Sequence, residues 1–495
     1  MDTTNNNKKP HAAILTSPGM GHLIPAVELG KTLLTKHAFD VTIFLITTDP
    51  AIARSQINQQ TSHLKTPPNV VELPQPDVSS KLGPQPSIVD RIVVTMTESI
   101  PSLRSFILSM NHPPSLLIID LFGTAAIPMA RDLGMQSYVF LTMSAWFSAL
   151  TIYLPAMDPI HVENTHIKNR EPLPIPGCEP LLFDDTLESL LDPHGPMYEG
   201  YTNVAKVING SDGILMNTWQ DLEPSATKAL GESGILRRFT KGPVYPVGPL
   251  VRTLVERDTA GLELDNKVKQ WLDRQPTESV IYVSFGSGGT MSAAQIRELA
   301  WGLELSMLRF VWVVRPPLDD DVSGAFFDVG KGGDGLPEYL PEGFLERTKE
   351  LGVVVPMWAP QVEILGHPAT GGFVTHCGWN SVVEAIFGEV AMVAWPLYSE
   401  QTMNAAMLSE DIGVAVRANK AEDGVVGRDE IARVVRRVMV EEEGGEMREK
   451  VKKLKASAEK AVCEFGSSYE SLGQFRRNCC ELHLRRGEDA KARGA

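Results

Sequence analysis

Residues 11–34 read HAAILTSPGMGHLIPAVELGKTLL and combine three elements in one short stretch. The apolar run His11–Thr16 predicts a buried strand, and the Gly-rich stretch Ser17–Gly21 predicts a tight turn. The apolar residues that follow lie on or near one face of a helix: Leu23, Ile24, Val27, Leu29, Leu33 and Leu34. Further strand-like runs, separated by helix-length segments, lie at residues 41–46, 116–120 and 136–141. This succession predicts a parallel sheet that is covered by helices on both faces.

The same pattern begins again in the second half of the chain. Val280–Phe285 predicts a strand, Gly286–Gly289 a tight turn and Ala293–Leu305 a helix. An Asp- and Gly-rich stretch, residues 316–339, is expected to be a surface excursion. Short strands are predicted to continue this second region at residues 310–314, 352–355, 372–375 and 392–395. The predicted fold class is therefore α/β, with two facing, doubly wound domains and a ligand crevice at the carboxyl ends of both sheets.

The domain boundaries follow from this pattern and from the length of 495 residues, which exceeds the usual size of a single core. Residues 1–250 form a predicted first Rossmann-like domain, and residues 251–465 form a second. The Pro- and Gly-rich segment 241–249 is interpreted as the linker between them. Residues 466–495 are predicted to be a separate C-terminal helix with a tail that is frayed from Arg485 onward.

Composition narrows the functional classes. Hydrophobic residues make up 43% and charged residues 22% of the chain, as in ordinary soluble globular proteins. The net charge of −15 argues against a nucleic-acid-binding protein, whose binding face would be basic. No uninterrupted apolar run reaches about 18 residues and the N-terminal segment is polar, so neither a transmembrane helix nor a secretory signal is predicted. The five cysteines lack the spacing of a disulfide framework or a zinc site, and a cytoplasmic protein is expected.

The segment from Trp358 to Gln401 reads WAPQVEILGHPATGGFVTHCGWNSVVEAIFGEVAMVAWPLYSEQ and contains the groups that a sugar nucleotide requires. A uracil base offers a flat face that Trp358 can stack on, and ribose hydroxyls need partners such as Gln361 and Glu384. A diphosphate needs N–H donors at a helix N-terminus. The run His376–Ser381 has that form, because a strand ends, a glycine turn follows and a helix begins.

Further candidates complete a predicted site. The turn Gly286–Gly289 could reach the phosphates from the opposite side, and Glu400 and Gln401 are suited to the hydroxyls of a sugar. In the first domain, His22 follows the Gly-rich turn and Asp120 stands at the end of a strand in the same sheet. The pKa of a histidine suits a general base near pH 7, and a carboxylate could hold its imidazole in one tautomer.

The block 358–401 resembles the donor-binding signature of the plant family 1 UDP-glycosyltransferases, which act on secondary products. The stretches TSPGMGHLIPAVELG (16–30) and IIDLFGTAA (118–126) resemble the hydroquinone and phenol glucosyltransferase branch. The resemblance implies a GT-B fold whose C-terminal helix crosses back to the first domain, and a catalytic dyad of His22 and Asp120. It also implies donor-binding roles for Ser144, Ser284, Ser287, Trp358, Ala359, Gln361, His376, Gly378, Trp379, Asn380, Ser381, Glu384, Tyr398, Glu400 and Gln401.

The resemblance also implies a reaction. It is inverting O-glucosylation from UDP-glucose, which would form β-glucosides of phenols, hydroquinone, monolignols or hydroxyindoles such as indoxyl. Gln401 favours glucose over galactose by the same analogy. The expected protein is a monomer that requires no metal or other cofactor, and its partners are a UDP-sugar and a small aromatic acceptor. The acceptor walls are expected from loops of the first domain: Met20, Ile88, Phe122, Trp146, Phe147, Tyr153, Leu154, Leu182, Met197 and Tyr201.

Three positions depart from the family pattern. Family members usually carry Gly at the position of Glu389 and Pro at the position of Ala391, where a helix turns into a strand. Neither position is credited with donor contact, so both departures concern the geometry and stability of the turn. The hydroquinone branch often carries Asp at the position of Ala125.

Three other classes of protein share parts of this pattern. A sugar-nucleotide epimerase could use two Rossmann domains but would lack an acceptor cleft. A nicotinamide dehydrogenase is disfavoured, because Gly19 and Gly21 are not followed by a third glycine at position 24, where Ile24 stands. A non-catalytic sugar-nucleotide sensor would bind the donor without turnover.

Overall fold

The computed structural model of the protein describes residues 9–47, 50–83, 86–252, 266–318, 339–421 and 423–493, without the side chains of residues 52, 266 and 482–493. Within these ranges the chain forms two parallel sheets with helices on both faces of each. The predicted fold class is confirmed. No described helix has the length and apolar character that crossing a membrane would require.

The first sheet has seven strands in the order β3-β2-β1-β4-β5-β6-β7, all parallel to their neighbours. The strands are β1 His11–Thr16, β2 Asp40–Leu45, β3 Asn69–Glu72, β4 Leu116–Ile119, β5 Gln136–Leu141, β6 Gly213–Met216 and β7 Val244–Pro246. Chain order reverses between β1 and β4. The carboxyl ends of these two strands therefore border the crevice of the first domain.

The second sheet has six strands in the order β10-β9-β8-β11-β12-β13, again all parallel. The strands are β8 Val280–Ser284, β9 Arg309–Val314, β10 Gly352–Pro356, β11 Thr370–Thr375, β12 Ala391–Ala394 and β13 Ala415–Arg417. The reversal lies between β8 and β11. The two domains thus repeat one topology, and each has its own crevice at an equivalent place.

The helices alternate with the strands and bury their apolar faces against the sheets. They are α1 Met20–Lys36, α2 Pro50–Thr61, α3 Ile88–Ser109, α4 Ile127–Asp132, α5 Ala145–Tyr153, α6 Pro159–Val162, α7 Glu188–Leu191, α8 Pro196–Asn209, α9 Pro224–Leu230, α10 Asn266–Leu272, α11 Ala293–Ser306, α12 Phe344–Thr348, α13 Gln361–Leu365, α14 Trp379–Phe387, α15 Gln401–Ala406, α16 Arg428–Met439, α17 Glu442–Val462 and α18 Ser467–Arg493. A 3-10 helix, Leu121–Ala126, follows β4.

Helix α18 packs on the first sheet, although it follows the second domain in the chain. The ring of Phe475 meets the rings of Phe39, Tyr138 and Tyr245 at centroid distances of 5.7, 4.8 and 5.7 Å. These rings are buried, so the helix extends the apolar core of the first domain. It continues through Arg493, where a frayed tail was predicted; the residues of this segment are mostly good helix formers.

The prediction of a linker at residues 241–249 is wrong in part, because the segment contains strand β7. Val244–Pro246 pairs with β6 and forms the edge of the first sheet. Proline is tolerated in a strand at a sheet edge, where one side of the backbone needs no partner, and Pro246 ends the strand there. The predicted surface excursion at 316–339 falls almost entirely outside the described residues.

Glu389 shows how the turn between α14 and β12 accepts a residue other than glycine. Its φ is 61°, in the left-handed region, and its carboxylate lies 2.8 Å from Nζ of Lys455 on α17. The other two departures create no polar contact, since Ala391 is fully buried in β12 and Ala125 is exposed.

We expect Glu389→Gly to raise the free energy of unfolding by about 0.5–1 kcal/mol, because glycine relieves the left-handed strain while a part-exposed ion pair contributes about 0–1 kcal/mol. Urea unfolding followed by fluorescence would measure the change. Lys455→Met isolates the ion pair, since it leaves the backbone of Glu389 as it is. A loss of stability in Glu389→Gly that Lys455→Met reproduces would show that the ion pair outweighs the strain.

Candidate active site

The reversal point of the first sheet brings His22 and Asp120 together. His22 stands in the first turn of α1, and Asp120 directly follows β4, the neighbour of β1. His22 Nδ1 lies 3.2 Å from Asp120 Oδ2, which is within ion-pair reach although the ring is not aligned for a hydrogen bond. Catalytic hydrogen bonds often align only when a substrate is bound. With Nδ1 toward the carboxylate, Nε2 is the ring atom that can take a proton from a substrate.

Asp120 is 4% exposed and is held by backbone and hydroxyl donors. Ser17 donates its backbone N–H at 2.7 Å and its hydroxyl to Oδ2, while the N–H groups of Phe122 and Gly123 donate to Oδ1 at 3.1 Å each. Burial alone would raise the pKa of Asp120, but the attraction of His22 and the bonds from Ser17 outweigh it, so that the pKa is lowered. The carboxylate is therefore a fixed negative charge beside the imidazole.

His376 lies at the reversal point of the second sheet, between the β8 turn and the start of α14. A Cβ placed on Gly286 would approach its Cε1 to 2.6 Å, and one on Gly378 would approach its Nε2 to 2.4 Å. Glycine is thus required at both positions for the ring to fit. Burial lowers the pKa of His376 to about 4, so that the imidazole is neutral at pH 7. Its predicted contact with a diphosphate would therefore begin as a hydrogen bond and not as an ion pair.

We expect the affinity for UDP-glucose to rise as pH falls, because a nearby diphosphate raises the pKa of His376 and binding then takes up a proton. If the charge restores the ordinary value of 6.5, the Kd falls about tenfold between about pH 7.5 and 5.5. Calorimetric titration at both pH values measures the change. His376→Asn serves as the control and should show no such dependence. An equal Kd in the wild-type protein at both pH values would mean that the imidazole stays neutral in the complex.

The start of α14 offers backbone donors beside His376. The helix begins at Trp379, and its N-cap, Gly378, provides no side chain to cover the first N–H groups. These groups and the helix dipole suit a phosphate. Ser284 is the last residue of β8, and Ser287 lies in the turn Gly286–Gly289 that follows this strand. Both predicted residues therefore border the same edge of the sheet.

The predicted ribose partners lie together. Gln361 Nε2 donates to Ser381 Oγ at 2.9 Å and to Glu384 Oε2 at 2.7 Å. Ser381 and Glu384 are three residues apart on α14 and so share one face of the helix. Trp358 is half-buried and Ala359 is 5% exposed. Both lie within three residues of the start of α13 at Gln361, so the base-stacking candidate is close in the chain to this polar cluster.

Trp379 and Asn380 join the two domains at the cleft. The Nδ2 group of Asn380 donates to the backbone oxygen of Gly21 at 3.0 Å, next to His22. The indole N–H of Trp379 donates to the backbone oxygen of Asn217 at 2.7 Å. The start of α14 is therefore tied to the start of α1, the helix that carries His22.

A second connection crosses the cleft through Asn404 on α15. Ser144 Oγ donates to Asn404 Oδ1 at 3.0 Å, and Asn404 Nδ2 donates to the backbone oxygen of Cys377 at 3.0 Å. Asn404 is 1% exposed. On the same helix, Gln401 Oε1 accepts the N–H groups of Leu397 and Tyr398 at 2.9 and 3.2 Å. Gln401 thus shapes the loop that contains Tyr398, and this loop leads into Glu400.

A third connection reaches the predicted acceptor loop. Asp185, whose side chain is 2% exposed, pairs through both oxygens with Arg417 at the end of β13. Thr402 Oγ1 donates to the backbone oxygen of Asp185 at 3.0 Å. The loop that follows Leu182 is therefore docked on the helix that carries Gln401.

The acceptor candidates differ in their burial and in their distance from His22. Phe122 lies 5.4 Å from the His22 ring, and Phe147 is stacked on Tyr201 at 6.0 Å. Leu182 and Met197 are 46% and 61% exposed, so they lie at the surface and not in a closed pocket. Met20, Ile88 and Tyr153 are partly buried against the core, whereas Trp146 and Leu154 are buried within it.

Two residues of the site were not singled out from the sequence. The sequence indicates only that Ser17 belongs to a turn, yet its hydroxyl and N–H hold Asp120. Asn404 stands three residues after Gln401 and so shares its helix face. This spacing is a sequence signal that could have identified Asn404 as a residue of the site. The signal for Ser17 is weaker, because a serine in a glycine-rich turn is common on conformational grounds alone.

Two parallel-sheet domains that face each other, with His22 and Asp120 on one side of the cleft and the start of α14 on the other, have the GT-B architecture of glycosyltransferases. Residues 262–443 match the family described as UDP-glucoronosyl and UDP-glucosyl transferase. UDP-glycosyltransferase 72E1 of Arabidopsis thaliana is 48% identical over 94% of this chain and 96% of its own length. The hydroquinone glucosyltransferase of Rauvolfia serpentina is 42% identical over 94% of this chain and 97% of its own length.

A solved structure shows the same arrangement. It is that of a UDP-glucosyltransferase from Polygonum tinctorium capable of glucosylating indoxyl, in complex with 3,4-dichloroaniline, with a TM-score of 0.83 and 35% identity over 96% of this chain and 99% of the other. The chain therefore belongs to the plant family 1 UDP-glycosyltransferases. It is an enzyme of the hexosyltransferase type, and the predicted family is confirmed.

Proposed function

We propose that the protein is an inverting O-glucosyltransferase that moves glucose from UDP-glucose to small aromatic alcohols. The observation that carries this proposal is the placement of His22. Its Nδ1 lies 3.2 Å from Oδ2 of the buried Asp120. The neighbouring residue, Gly21, accepts a hydrogen bond from Asn380 at the start of α14. A hydroxyl bound beside His22 would face a sugar held at the start of α14. The base and the donor therefore lie on opposite sides of one cleft.

The proposed step is a single displacement. The acceptor oxygen attacks the anomeric carbon, the bond from that carbon to the diphosphate oxygen breaks, and UDP leaves with the electron pair. The acceptor proton passes to Nε2 of His22, and the fixed charge of Asp120 stabilises the imidazolium that forms. Attack opposite the leaving group converts an α-linked donor into a β-glucoside.

The proposed donor is UDP-glucose, and the proposal includes no metal. The diphosphate would be bound by the uncapped N–H groups of α14, the β8 turn and His376. The sugar would be bound by Glu400 and Gln401, and Ser144 would lie near it through its bond to Asn404. A monomeric, cytoplasmic enzyme remains part of the proposal.

The proposed acceptors are phenols, hydroquinone, monolignols or hydroxyindoles. Phe122 beside His22 and the Phe147–Tyr201 pair offer flat apolar surfaces that suit an aromatic ring. Two relatives support this class by their names, since one is a hydroquinone glucosyltransferase and the other glucosylates indoxyl.

The test incubates the enzyme with isotope-labelled UDP-glucose and hydroquinone, coniferyl alcohol or indoxyl, with and without EDTA. We expect labelled glucosides, at equal rates in both conditions, because backbone donors take the place of a metal. Isomerised UDP-sugar without glucoside would support an epimerase instead, and donor binding without turnover would support a sensor. A rate that falls with EDTA and recovers with a divalent cation would contradict the metal-free arrangement.

A further inference from the structure

Arg315 directly follows strand β9 at the carboxyl edge of the second sheet and is 6% exposed. Strand β9 lies between β8, which leads into the turn Gly286–Gly289, and β10, which leads to Trp358. The N–H of Met357 donates to the backbone oxygen of Val314 at 2.8 Å, so the chain that enters Trp358 passes beside Arg315. Residue 315 therefore stands between the strand ends that lead to the base-stacking candidate and to the turn Gly286–Gly289.

The Nε and Nη2 atoms of Arg315 are buried and have no hydrogen-bond partner in the part of the chain that the structure describes. The side chain lines a cavity that is partly open to solvent, whose walls include Gly286, Gly289, Thr290, Met291 and Trp312. Burial lowers the pKa of Arg315, but an arginine stays charged in proteins. A buried cation without a partner destabilises a fold, so a residue of this kind calls for an anion.

We propose that Arg315 is a donor-binding residue whose N–H groups donate hydrogen bonds to the anionic diphosphate of the bound sugar nucleotide. This inference rests on the proposed function and extends its donor site beyond the block 358–401. Among the parts of the sugar nucleotide, we assign the diphosphate to Arg315, because uracil and ribose are neutral and only the diphosphate has a full negative charge. The guanidinium fork also matches phosphate oxygens in geometry.

The electrostatics of the site support this assignment. His376, at the other side of the β8 turn, is neutral at pH 7, since burial lowers its pKa to about 4. The diphosphate would then meet hydrogen-bond donors at α14 and a permanent positive charge at Arg315. The overall charge of −15 makes such a local cation more important, because the chain as a whole repels an anionic donor.

The experiment compares the wild-type enzyme with Arg315→Met, using calorimetric titration with UDP and with uridine. We expect the Kd for UDP to rise at least about tenfold, as for the loss of a charge-assisted hydrogen bond, while the Kd for uridine changes less than about twofold. The melting temperature of the ligand-free variant should be equal to or above that of the wild type, because an unpaired buried charge has been removed. Arg315→Lys, which keeps the charge without the fork, should recover part of the UDP affinity.

Arg297→Gln is the matched control, since it removes one charge from the exposed side of α11, the helix that also borders the cavity. It should leave the Kd for UDP unchanged. Three results would overturn the inference: an unchanged Kd for UDP in Arg315→Met, equal losses for UDP and uridine, or a variant that melts below the wild type, as a structural arginine would. If the wild-type enzyme fails to bind UDP, the proposed function itself is contradicted. The titration of the wild-type enzyme shows this before any variant is made.

Discussion

Replacing His22 with alanine is expected to lower kcat for glucosylation of hydroquinone by about 10³-fold, within the range of about 10²–10⁴ that a positioned general base contributes. The donor site should remain, because the bond that connects the domains here runs from Asn380 to the backbone oxygen of Gly21 and not to the imidazole. The Kd for UDP should therefore change by less than about twofold. Steady-state kinetics and calorimetric titration measure the two quantities on the same preparations.

The dependence of the His22→Ala rate loss on the acidity of the acceptor hydroxyl distinguishes a general base from a histidine with a structural role. A hydroxyl that is already ionised in water needs no proton acceptor in the transition state, so His22→Ala should lose least with 4-nitrophenol and most with an aliphatic alcohol. A structural role would lower all rates by one factor. Equal losses across the series, or kcat near the wild-type value, would contradict the assignment of His22.

Asp120→Asn is expected to lower kcat by about 10²–10³-fold, because an amide neither stabilises the imidazolium nor fixes the tautomer that leaves Nε2 free. It should also lower the free energy of unfolding by about 1–3 kcal/mol. The amide NH₂ cannot accept hydrogen bonds, so it would face either the donors of Ser17 or the N–H groups of Phe122 and Gly123 and leave them without an acceptor. The lowered pKa of Asp120 gives the sign of the pH effect. Its contribution to stability is present above the unfolded pKa and is lost as pH falls through the lower folded value, and Asp120→Asn should remove this dependence.

Ser17→Ala provides the control for Asp120→Asn. It removes one hydrogen bond to the carboxylate and leaves both the charge and His22 in place. We expect kcat to stay within about tenfold of the wild type, although the fold loses about 1 kcal/mol. If Ser17→Ala lowered kcat as far as Asp120→Asn does, the role of Asp120 would lie in packing rather than in its charge.

The repeated strand–turn–helix pattern was sufficient to predict both parallel sheets, because buried parallel strands form apolar runs that stand out from helical periodicity. Four short strands were not predicted: β3, β6, β7 and β13. Among them, Val244–Pro246 at the edge of the first sheet lies between proline and glycine residues. Its strand conformation depends on pairing with β6, which is a tertiary contact. Local sequence preference could not reveal it.

The candidate site shows the same division. His22 and Asp120 end up 3.2 Å apart, as their positions after neighbouring strands predicted they could. The contacts that orient them depend on side-chain directions across the chain, such as the bond from Ser17 to Asp120, 103 positions away. Asn404 likewise acquires its role from Ser144 and Cys377, which belong to different elements. A motif also does not show the protonation state of His376, because the burial that lowers its pKa to about 4 follows from tertiary packing.

The configuration of the product tests the central claim most directly, because a base at His22 facing a donor on α14 permits one displacement only. Proton NMR of the product formed from UDP-glucose and hydroquinone reports the anomeric configuration through the coupling between H1 and H2. We predict the large coupling of a β-glucoside from the first turnover onward. An α-glucoside would require two displacements or attack from the side of the leaving group, and it would contradict the placement of His22 and the donor on opposite sides of the reacting carbon.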